Sequence, residues 1–99
     1  MGLGGFDLRK ESDGIFYKMF LNGQPLCYEG KEIPAVSDYT INPSICAARI
    51  HKKIYVFDFK DKSLHLFEVP EPQKPKVPFF FMYKNFCIDE NLEITHHEK

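Results

Sequence analysis

The chain is 99 residues long, with 43% hydrophobic, 27% charged and 15% aromatic residues and a formal net charge of −1. That length supports one domain with a modest core, and 13 Lys and Arg against 14 Asp and Glu leave no global field to draw in nucleic acid. No run approaches the ~18 apolar residues of a transmembrane helix, so neither nucleic acid nor a membrane is expected as a partner.

The aromatic content is unusual in kind: ten Phe, five Tyr and no Trp. Cys27, Cys46 and Cys87 are odd in number and contain no CxxC. They read as reduced thiols, which places the protein in the cytoplasm. The first residues lack the basic and apolar regions of a signal peptide.

Residues 1–14 are glycine-rich and then charged. They read as a flexible arm, or as a first irregular strand around Phe6 to Leu8. Ile15 to Leu21 is strand-like, Asn22-Gly23 suits a type I′ turn, and Gln24 to Tyr28 returns. In this register Leu21 faces Gln24, Met19 faces Leu26 and Tyr17 faces Tyr28. Pro25 then falls opposite Phe20, away from the ladder hydrogen bonds.

Glu29 to Asn42 reads as a connection with a short strand at Tyr39 to Ile41. Asn42-Pro43 has the form of a helix start, yet Ser44 to Ile50 works equally as a strand. A His51-Lys52 turn then makes a three-stranded meander of residues 44–69, which favours the strand. This meander has the local look of a propeller blade, without the glycine and tryptophan markers of one.

Ile54 to Phe59 and Leu64 to Val69 form a hairpin apolar on both faces, so the sheet must be covered twice. The expected register sets Phe59 opposite Leu64, Phe57 opposite Leu66 and Asp58 opposite His65. Residues 70–78 contain four prolines and read as a polyproline II crossover. Phe79 to Tyr83, a turn at Lys84-Asn85 and Phe86 to Ile88 form a further hairpin. A last short strand lies near Leu92 to Ile94, and residues 96–99 fray.

The fold expected is mainly β: a small single domain over residues 15–95, an antiparallel sandwich or partly open barrel of hairpins with at most one short helix. Asp58 with His65 is the one catalytic-looking pair, and the surface-pair reading outweighs it. His96-His97-Glu98 offers adjacent metal ligands but lacks further partners, and no metal or cofactor is expected.

Because catalytic motifs are missing and large rings are abundant, the expected function is a non-enzymatic protein-binding module. An inhibitor, immunity-type protein or adaptor would fit, acting through an aromatic sheet face or by self-association as a homodimer. Candidate contacts are Tyr55, Phe57 and Phe59 on one face, or Phe80 with Tyr83. The alternatives are a small β-barrel holding an apolar ligand and a compact hydrolase or nuclease using Asp58 and His65.

Overall fold

The computed structural model describes residues 5–11, 14–68, 80–89 and 91–96. Twelve strands form four small antiparallel sheets, with no helix and no closed barrel among the described residues. The proline-rich crossover at 70–78 and residues 97–99 of the tail lie outside the described residues.

The first sheet contains β1 (Phe6–Lys10), β2 (Tyr17–Leu21) and β3 (Gln24–Pro25). Of the two readings of the N-terminal stretch, residues 6–10 adopt the strand, in register with β2 from Phe6↔Leu21 to Lys10↔Tyr17. Asn22 and Gly23 both have positive φ, 53° and 80°, as a type I′ turn demands. Leu21↔Gln24 and Phe20↔Pro25 pair as expected.

The Leu26 N–H donates to the Met19 carbonyl and the Ile33 N–H to the Leu26 carbonyl. An apolar row of Leu8, Met19, Leu26 and Ile33 therefore crosses this part of the chain. The segment read as one strand, Gln24 to Tyr28, is broken at Leu26. Its second half, β4 (Cys27–Tyr28), pairs with β5 (Lys31–Glu32) as a separate hairpin. Tyr17, expected opposite Tyr28, instead bridges Val36.

The second large sheet is a meander of β6 (Asp38–Ile41), β7 (Ile45–Ile50), β8 (Lys53–Asp58) and β9 (Ser63–Glu68). Residues 45–50 are strand, paired with β6 on one side and β8 on the other. Asn42 does cap, but it caps a turn. Its Oδ1 accepts from the N–H groups of Ser44 and Ile45 at 2.7 and 2.8 Å, which closes the β6–β7 loop.

The register between β8 and β9 differs from expectation by two residues. Asp58 faces Ser63, Phe57 faces Leu64 and Val56 faces His65. The cause is local. Asp58 Oδ1 accepts from the N–H groups of Lys60 and Asp61, so the turn starts one residue earlier and Phe59 leaves the strand. An even shift keeps every side chain on its face.

β10 (Phe80–Tyr83), β11 (Phe86–Asp89) and β12 (Ile94–His96) form the last sheet. Lys84-Asn85 is the expected turn. The final strand begins later than expected because Asp89 Oδ1 accepts from the N–H groups of Asn91 and Glu93. Leu92 thereby sits in the turn at φ 63°, with its side chain fully buried.

Alternation along the meander explains the layering. Cys46, Ala48, Ile50, Tyr55 and Phe57 face a core completed by Phe6, Met19, Leu26, Ile33 and Val36. Ile45, Ala47, Ile54 and Val56 face a second core with Tyr83, Ile88 and Leu92. The hairpin apolar on both faces is thus covered on both. Each large side chain so buried contributes roughly 1.5–3 kcal/mol. The small residues Cys46, Ala47 and Ala48 at the centre of β7 are fully buried, letting layers approach from either side.

Candidate functional site

Two places bring functional side chains together. The first lies where the β6–β7 and β8–β9 loops meet the turn between β10 and β11. Asp58 ends β8 and is the one buried charged residue among the described residues, 3% exposed. Its Oδ1 holds the β8–β9 turn. Its Oδ2 accepts from the Tyr83 hydroxyl and from Lys84 Nζ, each at 2.8 Å. Lys84 Nζ also reaches Asp61 Oδ2 at 2.5 Å.

Burial alone would raise the Asp58 carboxyl, but hydrogen bonds from Lys84, Tyr83 and the N–H groups of Asp61 and Lys60 outweigh it. The carboxyl is held well below the usual carboxylate range. Asp58 and then Asp61 raise the Lys84 ammonium above its ordinary value. Burial, followed by the hydrogen bond to Asp58, raises the Tyr83 phenol. All three groups therefore keep their neutral-pH charge states.

His65 does not face Asp58 directly. The Tyr83 hydroxyl stands between them, 3.0 Å from His65 Nε2, and Ser63 Oγ lies 2.9 Å from that nitrogen. With its proton on Asp58, the Tyr83 oxygen is left to accept from the imidazole. Asp58 accepts four hydrogen bonds, two on each oxygen, and a carboxylate so occupied acts as a strut joining two sheets. An open cavity of about 520 Å³ lies beside it, lined by Ser44, Asp58, Lys60, Lys84, Phe86 and His96.

The second place is a trough at the other end of the meander. Cavities of about 560 and 340 Å³ share Pro34, Lys53 and Tyr55, so they lie side by side, one against the β7–β8 turn and the other against the β4–β5 hairpin. Its apolar wall adds Tyr28 and Ile33 on one side and Ile50 on the other. The Tyr28 and Tyr55 rings meet edge to face, with centroids 6.4 Å apart. Burial, and next the neighbouring Tyr28, raise the Tyr55 phenol, which stays a neutral hydrogen-bond donor. Lys31, Lys52 and Lys53 with Glu29 and Glu68 give the rim both signs of charge.

Of the aromatic residues picked from the sequence, Phe57 is 2% exposed and Tyr55 5%. Phe59 is half-buried, packed with Phe57 against Phe6 at centroid separations of 5.1–5.6 Å. Tyr83 is buried in the second core. Phe80 occupies the β10 position opposite Asp89. The first sheet covers the Phe57 face, and Tyr55 lines the trough.

Sequence reasoning did not single out Tyr28 and Pro34 for the groove or Lys84 for the strut. The Asn22-Gly23 and Lys84-Asn85 turns were legible. Which sheet each turn would meet was not.

The His96 ring packs against Phe86 at 5.5 Å, and no cluster of three metal-ligating side chains occurs among the described residues. No helix among them is long and apolar enough to cross a membrane. Comparison with protein-family models, curated proteins and solved structures finds no match.

Proposed function

We propose that the protein is a non-enzymatic binding module that engages an extended segment of a partner protein in the trough beside Tyr28, Pro34 and Tyr55. One observation carries this reading: two tyrosines and a proline from separate parts of the chain line a pair of adjoining cavities, Pro34 and Tyr55 contributing to both and Tyr28 to one. Tyrosine is enriched at energetic centres of interfaces because it offers large rigid area and a polar tip. A rim carrying both signs of charge matches the polar border of such sites.

What supports a binding rather than a catalytic role at the other end is the saturated Asp58 carboxylate, whose hydrogen bonds hold the fold together. The three free cysteines fit residence in a reducing compartment, here the cytoplasm.

The test is selection of peptides from a random display library on the immobilised protein, followed by fluorescence anisotropy with one synthetic peptide. Tyr28→Ala is expected to weaken binding by about 30-fold, the scale of an interface hot spot. Failure to select any peptide, or equal affinity for Tyr28→Ala and the parent protein, would refute the reading.

A further inference from the structure

The trough holds polar groups that the fold leaves unused. Tyr55 is 5% exposed, and its hydroxyl makes no hydrogen bond to any described residue. No polar side-chain atom among the described residues is buried without a partner, so this hydroxyl opens into the cavities that Tyr55 lines. Tyr28 is half-buried, and its ring meets Tyr55 edge to face. Its hydroxyl is likewise without a partner among the described residues. Two phenol donors at one site thus await an acceptor.

Charge and backbone narrow what can supply it. Glu29, Glu32 and Glu68 balance Lys31, Lys52 and Lys53 around the two cavities, so the site favours neither a strongly acidic nor a strongly basic ligand. A partner strand adding to a sheet needs a free edge of alternating donors and acceptors. The residues common to both cavities offer none: Lys53 and Tyr55 lie in β8, paired by β7 on one side and β9 on the other, and Pro34 has no N–H. A helix keeps its carbonyls bonded internally. A polyproline II segment differs from both, because its carbonyls are unpaired and each proline removes an N–H that would need an acceptor.

We infer that the partner segment of the trough is proline-rich and bound as a polyproline II helix, its carbonyls accepting from the Tyr55 and Tyr28 hydroxyls and two prolines, three residues apart, seated in the adjoining cavities. Prolines at that spacing stand on one edge about 9 Å apart. Pro34 and Tyr55, common to both cavities, form the boundary between the two rings. The segment is extended before it binds, so less chain entropy is lost on docking. The inference rests on the trough being a peptide site, and it names the class of peptide.

The display library gives the first test: selected sequences should carry prolines at positions i and i+3. Fluorescein-labelled decaproline is the defined probe, expected to bind the full chain with a Kd between about 10 µM and 1 mM. Tyr55→Phe and Tyr28→Phe each keep the ring and remove only the hydroxyl, so each should bind decaproline about 5-fold more weakly. Neither hydroxyl bonds within the described fold, so the urea midpoints of both variants should match the parent, which separates binding from folding.

Decaproline that fails to bind at about 1 mM overturns the inference, and so does binding that neither variant weakens. Selected peptides that depend on Tyr28 yet lack the paired prolines would overturn it too, while leaving the trough a peptide site. No selected peptide together with no decaproline binding would refute the trough reading as well.

Discussion

Lys84 Nζ lies 2.8 Å from Asp58 Oδ2, joining the turn between β10 and β11 to the last residue of β8. Because Asp58 also closes the β8–β9 turn, one carboxylate fixes a local register and a sheet-to-sheet contact together. Disturbing it should loosen both.

The first consequence is acid sensitivity. The Asp58 carboxyl is depressed in the folded protein, so its contribution is fully present above the unfolded carboxyl value of about 3.9 and is lost as pH falls through the folded value. Urea unfolding measured from pH 7 downward should show stability declining below about pH 4. Asp58→Asn should be less stable at neutral pH and lose less on acidification. Tyr83→Phe removes one hydrogen bond to this charged group and should cost about 1.5–3 kcal/mol.

Phe57 belongs to the first core, stacked on Phe6 with ring centroids 5.1 Å apart. Phe57→Ala should cost about 3–5 kcal/mol, read as a lower urea midpoint with an unchanged slope. The effect is one of folding. A variant that kept full stability would mean that the first sheet does not pack there.

Ala47 and Ala48 are fully buried, one on each face of β7. Ala47→Leu should overpack the second core and Ala48→Leu the first, each costing about 1–3 kcal/mol. Hydrogen exchange separates them. Ala47→Leu should speed exchange mainly in β10 and β11, and Ala48→Leu mainly in β1 and β2.

Sequence alone determined much of the local structure. Asn22-Gly23 specified its turn because both residues tolerate positive φ, and the pairing of Leu21 with Gln24 followed from it. The residues of β8 and β9, apolar on both faces, required two covering layers before either was known.

Where local reasoning slipped, a side chain had bonded to the backbone. Asp58 and Asp89 each capped the turn that followed. Those caps displaced the β8–β9 register and the start of the final strand.

Tertiary structure alone decided which sheet covered which face, turning Phe57 inward and leaving Met82 outward. It also brought Tyr83 to Asp58 across 25 positions of chain and set Tyr28 beside Tyr55. Turn chemistry acts over a few residues, so sequence can display it. Packing between layers depends on the combined shape and charge of faces distant in the chain, and no single segment encodes that.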